Sequence, residues 1–188
     1  MWESIVDLDR RAFKFLNSLG IDDYDQFWLF VTQIENWIPL YLLFFYLLYR
    51  NVERPNNFFS IAGIPAVAII TLQLTNLVKN FIERLRPNNE PMLMDSIRIL
   101  QRPENFSFWS GHSAVSFAVT TFVVLCLKSR SGSKWYYLFY IWPFTFAISR
   151  IFVGVHYPAD VTVGMLVGML LGYGSFKLLE TLTKRGKG

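Results

Sequence analysis

The residues with chemistry to offer fall into three short segments. Lys79 and Arg86 stand seven positions apart, with Pro87 directly after the arginine. Ser110, Gly111 and His112 are consecutive. Arg150, His156 and Asp160 complete the set, inside Ser149-Arg150-Ile151-Phe152-Val153-Gly154-Val155-His156-Tyr157-Pro158-Ala159-Asp160. His112 and His156 are the only 2 histidines in 188 residues. Three cations, two imidazoles and one carboxylate suit a phosphoryl group. Arginine grips phosphate oxygens in pairs, and lysine adds a point charge.

Local backbone chemistry supports that reading. Ser110 is suited to cap a helix that begins near Gly111, and Gly111 lets backbone approach a ligand. The free N–H groups of such a helix start attract anions. Pro158 fits the first turn of a later helix, which puts His156 just ahead of it and Asp160 inside it. Asp160 is then placed to hold one ring nitrogen of His156 and leave the other free to attack. In a helix, the step from Lys79 to Arg86 is close to two turns, so both would share a face, with Pro87 ending the helix at Arg86.

Taken singly, each residue has an ordinary explanation. A histidine beside a helix end is more often structural, Arg150 alone fits a snorkelling side chain, and Lys79 and Arg86 fit topology charges. The setting separates the group from these explanations. All three segments border long apolar runs, where ionisable groups are costly and usually functional.

Those runs define the elements that must position the site. The chain is 53% hydrophobic and 17% charged, far greasier than a soluble domain. Pro55 to Val78 is free of charge and long enough to cross a bilayer. Ser113–Leu127, Trp135–Ser149 and Val161–Phe176 are shorter, and reach spanning length if the polar motifs form their terminal turns. A further span is expected at about residues 27–50, as one helix or two half-helices. Pro65 would kink its helix. Residues 1–25 form an N-terminal unit: Trp2, Ile5, Leu8, Ala12, Phe15, Leu16 and Leu19 recur at helical spacing, as in a helix lying in the bilayer interface. Residues 26–188 form the membrane-embedded domain. The expected fold is all-α, an integral-membrane bundle of about five to six spans behind an amphipathic helix.

The formal charge of +4 comes without a basic run or nucleic-acid motif, so no nucleic-acid partner is expected. Cys126 is the only cysteine, which excludes an intrachain disulfide and a cysteine metal cluster. No cleavable signal peptide is evident at the first residues. Asn88 to Trp109 is the longest connection, and its length points to a working loop. Alternating spans put residues 50–54, 128–134 and the C-terminal tail on one side. That side holds nine of the 18 basic residues but only Glu53 and Glu180 of the 14 acidic ones. Once Lys79, Arg86 and Arg150 are set aside as site residues, the positive-inside rule makes that side cytoplasmic. The site then faces outward.

In these segments the chain resembles the type 2 phosphatidic acid phosphatase superfamily, which includes membrane lipid phosphatases and vanadate-dependent haloperoxidases. The resemblance rests on Lys79-(six residues)-Arg86-Pro87, Ser110-Gly111-His112, and Arg150-(five residues)-His156-(three residues)-Asp160, in that order. One departure is Trp109, where the family usually has proline before Ser-Gly-His. The resemblance implies a helical bundle and no metal or other cofactor. It also implies catalysis by His156 as nucleophile, Asp160 as its orienting partner and His112 as the proton donor to the leaving oxygen. Lys79, Arg86, Ser110, Gly111 and Arg150 would hold the phosphoryl oxygens. The expected activity is hydrolysis of a lipid phosphate in a bacterial inner membrane, with the site facing the periplasm. Undecaprenyl pyrophosphate, phosphatidylglycerol phosphate and lipid A phosphate are the candidates, the first preferred. A haloperoxidase and a non-catalytic scaffold or transporter are the alternatives.

Overall fold

The computed structural model describes residues 2–52 and 56–185. Glu53, Arg54 and Lys187, which enter the charge balance above, and Pro55, which opens the charge-free run, lie outside the described residues. Seven α-helices account for most of the chain, with short 3-10 turns between some of them and no strand among the described residues. They are α1 (Trp2–Ser18), α2 (Asp25–Thr32), α3 (Ile38–Asn51), α4 (Asn56–Ile82), α5 (Gly111–Ser131), α6 (Ile141–Phe152) and α7 (Pro158–Arg185).

Helices α4, α5 and α7 are each long and apolar enough to cross a membrane. The motif residues supply the first turns of α5 and α7, so the short apolar runs reach spanning length. α6 gains length differently. A 3-10 turn, Lys134–Tyr140, runs straight into it, and the two together rise by about 30 Å. Residues 27–50 form two half-helices. α2 stops at Thr32, Gln33 is extended, and a 3-10 turn leads into α3. Pro39 suits the start of the new helix, since its missing N–H falls in the first turn, where no intrahelical partner is needed. The side chains of Asn36 and Trp37 then donate to the carbonyls of Phe30 and Val31 at the end of α2. Pro65 sits inside α4, which nevertheless runs unbroken from Asn56 to Ile82.

α5 is the central and most enclosed helix, packed by α3, α4, α6 and α7. The core beside it includes Phe44, Leu48, Val67, Phe122, Val123, Leu127, Trp142 and Phe146. The outer surface is apolar: Phe58, Ile69, Ile70, Leu77, Phe81 and Leu170 are all more than half exposed. An apolar belt of that extent needs a lipid or protein cover, and this chain is an integral membrane protein.

The seam between α5 and α7 sets the geometry of the site. A Cβ added at Gly164, Gly168 or Gly172 would come within 2.7, 2.3 and 2.4 Å of the carbonyl oxygens of Ser110, Ala114 and Ala118. Only glycine allows two helices to approach so closely. The seam brings the first turns of both helices together, and the Ser110 amide donates to the Asp160 carbonyl at 3.0 Å.

At the same end lies α1. Phe13 is fully buried and packs edge-on against Tyr157. Asn17 donates to the carbonyls of Arg98 and Ile151 and accepts from the Arg98 amide. Ile5, Leu8 and Phe15 remain more than half exposed.

Candidate active site

A cavity of about 290 Å³ opens at this end, lined by Lys79, Arg86, Gly111, His112, Arg150 and His156 among others. Six of the eight residues singled out by sequence therefore share one hollow. Ser110 and Asp160 do not line it. Ser110 is fully buried, and its hydroxyl caps α5 by accepting from the Ser113 amide at 3.4 Å. Asp160 lies fully buried behind His156.

Lys79 and Arg86 reach the cavity by a route other than a shared helical face. α4 ends at Ile82, and Glu83 turns the chain with a positive φ of 51°. Arg86 then sits in extended backbone ahead of Pro87, as the steric demand of the proline ring requires. The expectation of one helix through Arg86 is corrected accordingly. After the turn at Glu83, Arg86 lines the same cavity as Lys79.

The three cations of the hollow are buried, with relative exposures of 5% for Lys79, 4% for Arg86 and 4% for Arg150. Neutral acceptors hold them. Lys79 donates to the Phe106 carbonyl at 2.7 Å. Arg86 donates to the Asn105 carbonyl and side-chain oxygen, each at 2.7 Å, and to the Val155 carbonyl at 2.9 Å. Arg150 donates to Thr32 and, at 3.0 Å, to the Gln101 side chain, while its Nε finds no hydrogen-bond partner among the described residues. None of the three forms an ion pair among the described residues. The hollow thus concentrates positive charge away from water, where an uncompensated ion is expensive and an arriving anion is strongly favoured.

His156 stands at the centre of this field. Its Nε2 lies 2.8 Å from Arg86 Nη1. Arginine can only donate, so Nε2 carries a lone pair and the ring proton sits on Nδ1. Nδ1 in turn faces Asp160 Oδ2 at 3.3 Å and Ser107 Oγ at 3.4 Å. Burial, reinforced by the charges of Arg86, Lys79 and Arg150, holds the His156 pKa well below the ordinary histidine value. Both features favour a neutral ring with its Nε2 lone pair directed at Arg86.

Asp160 is held on every side. Oδ2 accepts from the Tyr157 amide at 3.0 Å and from the Ser107 hydroxyl in a short contact. Oδ1 accepts from Arg84 Nη1 at 2.7 Å. His112, at the second position of α5, lines the cavity with its ring tilted against Phe146 at a centroid distance of 5.0 Å. Among the described residues there is no group of three or more His, Cys, Asp or Glu that could hold a metal ion. Trp109 fastens the turn before Ser110 to α4 by donating from Nε1 to Thr75 Oγ1 at 2.9 Å. The Phe108–Trp109 peptide is cis.

Sequence reasoning missed Ser107, Asn105, Gln101, Thr32 and Arg84. Four come from the loop 88–110 or the α2 terminus and have no spacing relation to the motifs. The length of that loop was the one available signal. Arg84 lay in plain view between Lys79 and Arg86, but only the turn at Glu83 tells its direction from theirs.

The PAP2 superfamily matches residues 57–184 of this chain. The lipid A 4'-phosphatase of Bacteroides thetaiotaomicron is 28% identical over 98% of this chain and 83% of its own length. Two solved structures share the fold. The PAP2-type phosphatidylglycerolphosphate phosphatase of Bacillus subtilis superimposes with a TM-score of 0.70 at 21% identity, covering 97% of this chain and 87% of its own. Aquifex aeolicus LpxE does so with a TM-score of 0.66 at 23% identity, over 90% of this chain and 95% of its own. With the three motifs gathered in one cationic hollow and the match spanning more than half the residues, the chain belongs to the PAP2 superfamily.

Proposed function

We propose that this membrane lipid phosphatase works through a phosphohistidine at His156 and that it removes a phosphate from lipid A. One observation carries the mechanism. Among the described residues, three buried cations without a carboxylate partner surround a neutral, oriented imidazole whose Nε2 lone pair is held by Arg86. A phosphate monoester entering the hollow would take over the donors of Lys79, Arg86 and Arg150. Arg86 would then leave Nε2 and bind a phosphoryl oxygen.

Nε2 attacks phosphorus, and the bond from phosphorus to the lipid oxygen breaks. His112 passes its proton to that oxygen. Water then attacks the phosphohistidine and gives a proton to His112. The nitrogen–phosphorus bond breaks, and inorganic phosphate leaves. Lys79, Arg86, Arg150 and the amides at Gly111 and His112 stabilise the charge on the equatorial oxygens. Asp160 holds Nδ1 of His156 in the correct tautomer and balances the developing positive charge.

The likeness to a lipid A 4'-phosphatase over nearly the whole chain favours lipid A over the undecaprenyl pyrophosphate preferred from sequence. The positive-inside balance favours a site on the outer face of the inner membrane, with α1 lying along that interface. The test is phosphate release by purified protein in detergent from lipid A, undecaprenyl pyrophosphate and phosphatidylglycerol phosphate. Lipid A is expected to have the highest kcat/KM, and His156→Ala is expected to release none from any of them. Faster turnover of a pyrophosphate would overturn the substrate, and an active His156→Ala would overturn the nucleophile.

A further inference from the structure

We propose that Asp9 and Arg84 are positioning residues for His156 and that α1 is therefore a working part of the active site. This rests on the reading of His156 as the nucleophile. The contacts form one line from the N-terminal helix to the imidazole. Asp9 Oδ2 accepts from Arg84 Nη2 at 2.7 Å. Arg84 Nη1 donates to Asp160 Oδ1 at 2.7 Å. Asp160 Oδ2 faces His156 Nδ1 at 3.3 Å.

Each link has a physical task. Asp160 is fully buried, and a buried carboxylate without a counter-charge is strongly destabilised. The three cations of the cavity donate to loop carbonyls and neutral side chains, and among the described residues Arg84 is the arginine or lysine that forms an ion pair with Asp160. Its guanidinium also lies 3.9 Å over the Tyr157 ring, which fixes its plane. The fork is split, one nitrogen to each carboxylate. Asp9 holds the second nitrogen and so keeps the fork from swinging away from Asp160. Its other oxygen, Oδ1, accepts from the Ala159 amide at 2.9 Å. Asp9 thereby also fixes the first turn of α7, where Asp160 resides.

The consequence reaches the bilayer. α1 presents Ile5, Leu8 and Phe15 outward, while Asp9 on the same helix ends the line to the nucleophile. Seating α1 against the bundle sets the orientation of His156.

The test compares Asp9→Asn, Arg84→Lys, Arg84→Gln and Asp160→Asn, alone and combined, in the full chain in detergent. The substrate is the member of the panel above that turns over fastest. Arg84→Gln is expected to lower kcat by about 10- to 100-fold, the scale for outer partners that orient a working imidazole. KM should stay unchanged, and Arg84→Lys should recover part of the loss. Asp9→Asn, nearly isosteric and thus safe for folding, is expected to lower kcat less than Arg84→Gln does. On the Asp160→Asn background neither change should cost further activity, because the route through Asp160 is already cut. Losses that multiply on that background, or an Asp9→Asn enzyme with wild-type kcat, overturn the proposal. A fully active His156→Ala enzyme would instead remove the reading on which it stands.

Discussion

The two ends of the bundle carry cavities of similar size, about 290 Å³ at the motif end and about 270 Å³ at the other. Both have basic residues in their walls. At the far end these are Arg130 and Lys184, which are exposed. Lys184 pairs with Glu180 at 3.1 Å, and Lys177 pairs with the same carboxylate at 2.9 Å. At the motif end, Lys79, Arg86 and Arg150 are buried and, among the described residues, donate to neutral acceptors, the oxygens given above and Nε2 of His156. Volume and charge are thus poor markers of an anion site. The difference is that water screens one set of cations and a carboxylate already serves it, while the other set is held by neutral acceptors in a low-dielectric pocket.

The sharpest way to break this comparison is to remove a buried cation. Arg86→Ala and Arg150→Ala are each expected to lower kcat/KM by about 10²- to 10³-fold, the usual effect of losing a preorganised donor to a developing oxyanion. Phosphate release under subsaturating substrate measures it, and losses under tenfold would mean that the cations are structural. The protonation state of His156 sharpens the contrast next. In His112→Ala protein with ¹³C-labelled histidine, the remaining imidazole signal should stay that of a neutral ring as pH falls to about 6, below the ordinary midpoint near 6.5. A lowered pKa means that protonation begins only at more acidic pH. A midpoint at or above the ordinary value would contradict the buried, cation-flanked environment. The smallest effect belongs to the far end. Arg130→Ala and Lys184→Ala should leave kcat/KM within about twofold of wild type, as expected for exposed, screened charges. A large loss there would erase the distinction between the two cavities.

The seam between α5 and α7 links these chemical differences to the fold. The glycines at 164, 168 and 172 were visible in the sequence, but their spacing was not read as a contact face. Ser110 and Pro158 were read as helix starts because capping and proline chemistry act within one turn. The break at Gln33 remained an open alternative because Glu35 interrupts the apolar run, and one charge does not say whether the helix stops there or continues. α4 was extended too far, because the left-handed turn at Glu83 has no glycine or asparagine to announce it.

The sequence by itself determined that the chain enters a membrane, where α5 and α7 begin, and which ionisable side chains lie at one rim of the bundle. Those properties follow from apolar run length and from interactions within a turn or two of helix. Only the tertiary structure decided that Arg84 points to Asp160 while Arg86 points to His156, that Ser107 and Asn105 of the long loop close over the site, and that Asp9 of α1 joins it. Such pairings depend on a reversal of chain direction and on helix packing, and the two contacts of Arg84 with Asp9 and Asp160 each span more than 70 residues of sequence. No local pattern encodes them, because the contact energy is realised only when distant segments meet.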